Sequence, residues 1–174
     1  MQQAKPQTPA KAWWRTVRNL LVILLIFLVM KAFLQRQMVS GEAPEFYGLL
    51  LDGAPVTLVD YQGQPVLLHF WATWCRICRL EQNSIEAISQ DWPVLTVAMQ
   101  SGNAQELQFY MDEHGLTHSV VVDPTGALAA QFGVFAVPAT FIIDAEGNIR
   151  FRERGYTTAW GLRARLLAAR WLSG

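Results

Sequence analysis

The stretch Val66-Leu67-Leu68-His69-Phe70-Trp71-Ala72-Thr73-Trp74-Cys75-Arg76-Ile77-Cys78 organises the reading of the whole chain. Its first six residues are apolar at every position but His69, the pattern of a strand covered on both faces. The residues that follow carry a helical pattern, which predicts a helix over 75–89 with Leu80, Ile85 and Ile88 turned inward. Cys75 and Cys78 are the only cysteines among 174 residues. The same spacing alone could be half of a zinc site, but between a buried strand and a helix it reads as a redox dithiol. Two intervening residues on a first helical turn bring the sulfurs within bonding reach. The helix N-terminus, through its unpaired N–H groups and positive dipole end, stabilises a thiolate on Cys75. Cys78 lies one turn in, less exposed, placed to attack a mixed disulfide made by Cys75.

Before this stretch, residues 46–51 and 56–59 read as a β-hairpin, since Asp52-Gly53 favours a tight turn. Residues 61–65 are a turn. After it, Val94-Leu95-Thr96-Val97-Ala98-Met99 is a second buried strand. Asn103 is a good N-cap for a helix over 104–114, ended by Gly115. Residues 120–122 are a short strand closed by Asp123-Pro124, and 128–132 a short helix. Strands over 139–143 and 149–154 pair back antiparallel across the turn 144–148. A last helix covers 158–172, with Trp160, Leu162, Leu166, Leu167 and Trp171 available for burial. Strands alternating with helices imply an α/β fold with helices packed on a central mixed sheet.

The formal charge is zero, but the signs are segregated. Residues 1–41 hold Lys5, Lys11, Arg15, Arg18, Lys31 and Arg36 and no acid, while residues 42–174 hold 14 acids and 8 arginines, a net of −6. An acidic globular part argues against a nucleic-acid partner. Residues 1–12 read as a polar tail and 35–45 as a linker. The run Leu20-Leu21-Val22-Ile23-Leu24-Leu25-Ile26-Phe27-Leu28-Val29-Met30 is apolar without a break. Flanking Trp13, Trp14, Val17, Ala32, Phe33 and Leu34 lengthen it towards the ~20 residues that cross a bilayer. Four basic residues precede the run and two follow it, so the positive-inside bias puts the N-terminus in the cytoplasm. A cleaved signal peptide is the rival. Val39-Ser40-Gly41 would be its cleavage site, but it lies well beyond the apolar core and lacks the Ala-x-Ala form. The expected organisation is a tail, an anchor over about 13–34 and a linker within 1–41, then an extracytoplasmic domain over 42–174.

Two motifs carry a resemblance. Residues Phe70 to Glu81, with Trp74-Cys75-Arg76-Ile77-Cys78 at their centre, resemble the active site of membrane-tethered thioredoxin-like proteins of the TlpA, ResA and CcmG group. Gly133-Val134-Phe135-Ala136-Val137-Pro138-Ala139-Thr140-Phe141 resembles their cis-proline loop. Within the group, the short anchored form most resembles the suppressor-of-copper-sensitivity D type. The resemblance implies a thioredoxin-like fold and thiol-disulfide exchange on protein substrates, with Cys75 as nucleophile and Cys78 as resolving cysteine and with no bound cofactor. It implies a cis Val137-Pro138 bond that presents the Val137 backbone to substrate, and a surface of Trp74, Arg76 and Ile77 around the sulfurs. It further implies a bacterial inner-membrane setting, with a membrane electron-transfer partner that recharges the pair. Reduction of protein disulfides is the expected direction, and disulfide formation by the same cysteines is the alternative. Three positions depart from the group's pattern: Asn83 in place of a frequent proline, Arg76-Ile77 between the cysteines, and Ala136 in place of a frequent glycine.

Other chemistries weigh less. Cys75/Cys78 with His114-x-x-x-His118 has the local spacings of a zinc site, but 35 residues separate the pairs, against about a dozen in a finger. The two histidines read as solvated helix-end residues. A thiol pair also binds Cu(I), but no Met-rich tract or third soft ligand accompanies it. No metal site is therefore assigned. Glu81 reads either as a support of the active site or as the routine stabiliser that an early glutamate gives a helix, and Trp71 reads as core. His69 leaves two readings open. A neutral imidazole could reach Cys78, directly or through one water, and take its proton during resolution, or it could be a core histidine bonded to a backbone carbonyl.

Overall fold

In the computed structural model the described residues are 9–35 and 37–172, and the chain divides into two compact units, Met1–Arg36 and Gln37–Gly174. The expected tail lies outside the described residues up to position 8. From Pro9 the chain is helical. Helix α1 (Pro9–Gln35) has 27 residues, about 40 Å at 1.5 Å per residue. The apolar side chains of residues 20–30 are exposed all round it, and Trp13–Met30 is long and apolar enough to cross a membrane.

The second unit is built on a six-stranded sheet. In chain order its strands are β1 (Gly41–Glu42), β4 (Val66–Trp71), β5 (Val94–Met99), β6 (Ser119–Asp123), β7 (Ala139–Ile143) and β8 (Asn148–Arg154). They lie in the order β1-β8-β7-β4-β5-β6. β4, β5 and β6 run parallel, whereas β7 and β8 run antiparallel to their neighbours. β2 (Tyr47–Leu49) and β3 (Pro55–Thr57) form the expected hairpin. Its turn is closed by the Asp52 carboxylate accepting the Ala54 N–H. Gly48 lets the hairpin rest on β6: a Cβ there would stand 2.5 Å from Val121 Cγ1.

β4 and β5 are buried at every position, as an interior strand covered on both faces must be. Leu68 and Phe70 point into one core with Phe132 and Phe141, closed by α4 (Ala127–Gln131). Leu67 points the other way, against Ile85 and Ile88 of α2 (Arg76–Ser89) and Leu162 and Leu166 of α5 (Ala159–Leu172). Trp71 shares that second face with Leu107 and Met111 of α3 (Ala104–Glu113). α3 begins with a capping box in which Asn103 and Glu106 satisfy each other's backbone N–H groups.

Three expectations need correction. The linker over 35–45 is partly domain: Met38 is in the core, Val39 N donates to Phe132 O, and β1 extends the sheet. Leu80 is 71% exposed, and Glu81 and Gln82 take the inward positions beside Ile85 and Ile88. In α5, Leu162 and Leu166 are buried with Ala169, but Leu167, Trp160 and Trp171 are exposed, the tryptophans at 84% and 85%. Apolar character alone misassigned them. The inward faces of both helices also carry small or hydrogen-bonded residues.

Candidate active site

The sharp turn after β4 puts Cys75 at the N-cap of α2. Its Sγ accepts the Cys78 N–H at 3.1 Å, and its own N–H donates to Ala72 O at 3.1 Å. The two cysteines are joined as a disulfide with Cα atoms 5.3 Å apart, inside the usual range. Cys75 is 7% exposed and Cys78 is 0% exposed. Cys78 has no exposed surface, and Cys75 carries the little that the pair exposes. The Val137-Pro138 bond is cis, and Val137 O lies 3.6 Å from Cys75 Sγ. The structure therefore brings Cys75, Cys78, Val137 and Pro138 together.

Trp74, Arg76 and Ile77 are exposed around these sulfurs. Trp74 is fixed by its Nε1–H donating to Gln100 O at 3.1 Å. The neighbouring Thr73 N–H donates to Ser101 Oγ at 3.1 Å. Gln100 holds φ at 48°, the left-handed region, which costs a side-chain-bearing residue roughly 1–2 kcal/mol. Its N–H bond to Asp123 O, at 2.8 Å, holds it there. Trp71 is core, as expected, and donates from Nε1 to Thr96 Oγ1 at 3.1 Å.

His69 is buried, with Nδ1 2.9 Å from Thr140 Oγ1 across the β4–β7 pair. Its partner is thus a side-chain hydroxyl, neither Cys78 nor a backbone carbonyl. Burial, with a smaller push from His118, lowers its pKa to about 3. His69 stays neutral near pH 7 and accepts no proton there. The Thr140 bond and the low pKa favour His69 as a packed and bonded core residue.

A carboxyl with a raised pKa lies on the same helix as the cysteines. Glu81 is buried one helical turn beyond Cys78. Its Oε1 accepts the Thr157 N–H, while Oε2 has no partner among the described residues. Burial raises its pKa to about 7, against the opposing effect of the Thr157 bond. The signal was legible: an acid three residues after Cys78 falls on the same helix face. Its burial was not.

The histidines proposed for zinc are engaged separately. His114 Nδ1 bonds Tyr110 O at 2.9 Å and its ring stacks on Tyr110. His118 is buried, not solvated, and its Nδ1–H donates to Glu86 Oε2 at 2.8 Å. Glu86 also accepts the N–H groups of Thr117 and His118 and the Thr117 hydroxyl. Burial pushes the Glu86 pKa up, but these bonds outweigh it and hold the carboxylate at about 2. Burial lowers the pKa of His118 despite Glu86, so this contact is a hydrogen bond from a neutral imidazole.

The AhpC/TSA family pattern matches residues 39–152. A thiol:disulfide interchange protein DsbE homolog of Paracoccus denitrificans is 36% identical over 121 residues, covering 68% of this chain and 67% of that one. The thiol:disulfide interchange protein DsbE of Escherichia coli K12 is 31% identical over 156 residues, covering 78% and 84%. The crystal structure of the exposed lipoprotein thioredoxin Etrx1 of Streptococcus pneumoniae aligns with a TM-score of 0.63 and 28% identity, over 71% of this chain and 98% of that one. Relatives and cysteine geometry agree on a class, the thioredoxin-like thiol-disulfide oxidoreductases that act on protein disulfides. The chain belongs to the AhpC/TSA family, and within it to the thioredoxin-fold proteins of the TlpA, ResA and DsbE type.

Proposed function

We propose that this protein is a membrane-anchored, extracytoplasmic reductase of protein disulfides, with Cys75 as nucleophile and Cys78 as resolver. The observation that carries the assignment is the asymmetry between the two cysteines: Cys78 has no exposed surface, while Cys75 keeps some and its Sγ lies 3.6 Å from Val137 O. A substrate strand laid against the Val137 backbone presents its disulfide to Cys75. The Cys75 thiolate attacks one substrate sulfur, forming a mixed disulfide and releasing the other as a thiolate. Cys78 then attacks Cys75, forming the Cys75–Cys78 disulfide and releasing the second substrate thiolate. Two electrons pass from the dithiol to the substrate. Glu81, titrating near neutrality one turn from Cys78, takes the Cys78 proton as that thiol becomes a nucleophile.

The anchor reading is supported by α1, whose continuous apolar surface is far larger than a soluble face tolerates. Its basic N-terminal flank favours a cytoplasmic start and a periplasmic domain at a bacterial inner membrane. A membrane electron donor recharges the disulfide. A part in copper tolerance follows from the suppressor-of-copper-sensitivity resemblance, with repair of oxidised thiols as its chemistry. The direction of exchange depends on potential, with each ~30 mV equivalent to about 1.4 kcal/mol, and equilibration with glutathione measures it.

The role assignment is tested by trapping. Cys78→Ser accumulates mixed disulfides between Cys75 and partner proteins, at least about tenfold over Cys75→Ser, because the buried sulfur cannot be reached. Equal trapping by the two variants would reverse or void the roles.

A further inference from the structure

Arg76 and Arg79 stand on the first turns of α2, beside the disulfide, and both are exposed. Among the described residues, carboxylates pair with Arg150, Arg163 and Arg165. None pairs with Arg76 or Arg79. α2 has no acid in its first turn. The nearest acid along the helix, Glu81, is buried and held towards its neutral form. The helix N-terminus adds its own positive end. The first turns of α2 thus carry two exposed cations and no exposed acid, on a domain whose net charge over 42–174 is −6. Four exposed apolar side chains frame it: Trp74 and Phe135 beside the two loops, and Ile77 and Leu80 one turn apart on α2. Phe135 lies two residues before Val137, whose O is 3.6 Å from Cys75 Sγ, and Arg76 directly follows Cys75, so apolar and basic side chains adjoin the place where a segment would pair with that backbone.

We propose that this rim selects substrates by charge: it takes cysteine-bearing protein segments that carry carboxylates and apolar residues beside the cysteine, and disfavours segments with basic flanks. The inference rests on the exchange reaction above and names its substrate class. Like-charge contact disfavours a basic flank, while opposite charge both steers the encounter and holds the mixed disulfide in register.

The experiment uses the full chain in detergent micelles, reduced and then freed of reductant. Its probes are three disulfides: an extended apolar peptide dimer with aspartates flanking the cysteine, the same peptide with lysines, and neutral 2-hydroxyethyl disulfide. At low ionic strength the aspartate peptide is expected to exchange about tenfold or more faster than the lysine peptide. At about 1 M salt, where the screening length is ~3 Å, the ratio should fall to within about twofold of unity. The double variant Arg76→Glu/Arg79→Glu should invert the ratio. Because the ratio compares two substrates of one enzyme, any change in Cys75 reactivity cancels, and the neutral disulfide reports that change directly. Equal peptide rates with normal exchange would overturn this inference alone, as would a preference that survives in the double variant. Failure to exchange with any of the three disulfides would overturn the functional reading itself.

Discussion

Two glutamates five residues apart on α2 are held in opposite states. Glu81, beside the disulfide, is fully buried with one hydrogen bond and an unpartnered oxygen, and its pKa rises to about 7. Glu86, towards the other end, is less buried, accepts four hydrogen bonds from Thr117 and His118, and falls to about 2. Residue type and helix are the same. The number of donors aimed at the carboxylate makes the difference. The Glu86 end is a clamp that fastens α2 to the start of β6. The Glu81 end leaves acceptor capacity unfilled one helical turn along α2 from Cys78, which is what the proposed proton transfer needs.

The contrast can be broken most forcefully at the clamp. Glu86→Ala leaves His118 and two backbone donors unpaired, and should lower stability by about 2–4 kcal/mol in urea unfolding. Thiol exchange per folded molecule should be unchanged. A loss below ~0.5 kcal/mol would show that the four bonds are not a clamp.

Replacing Glu81 with Gln should do the reverse, sparing the fold and touching the chemistry. A carboxyl whose folded pKa is about 7, against 4.5 as the ordinary value, holds a proton that the unfolded chain releases. Its contribution to stability is complete below the ordinary value and is lost as pH rises through about 7. Relative to the native chain, Glu81→Gln should therefore gain stability between pH 4 and pH 8, by up to about 3 kcal/mol. Resolution of the mixed disulfide should slow and lose its pH dependence near neutrality. A flat stability difference across that range would place the Glu81 pKa at its ordinary value and dissolve the comparison.

The smallest effect belongs to His69→Asn. With Thr140 as partner and no proton taken near neutral pH, the substitution should change the resolution rate by less than about twofold between pH 5 and 9. A larger, pH-dependent change would return the proton-accepting role to His69 and remove it from Glu81.

How much was legible in the sequence follows from which interactions are local. The cysteine pair, the β4 run, the Asp52-Gly53 hairpin and the Asn103 cap were readable because neighbours within a few residues determine them. Phe135 to Phe141 announced the loop that meets Cys75. The failures share one cause. Leu80, Trp160 and Trp171 are large and apolar, yet the inward helix faces are taken by Glu81, Gln82 and Ala169. Glu81 and Gln82 find their partners far along the chain, at Thr157 and Tyr110. His118 looked solvated because Glu86, 32 positions earlier, gives no sign in the sequence of facing it. Burial of a polar residue depends on a distant donor, and one-dimensional periodicity does not carry that information.

The attachment of Trp74 has a further consequence. Its indole bonds the main-chain oxygen of residue 100 and not a side chain. Cys75 likewise faces a main-chain oxygen, that of Val137. Such anchors survive any substitution that keeps the path of the chain. The residue at position 100 can drift while the tryptophan beside the sulfurs holds its pose. Geometry at this site is carried by the backbone, so the exposed side chains of the rim can be exchanged without moving the tryptophan or the sulfurs.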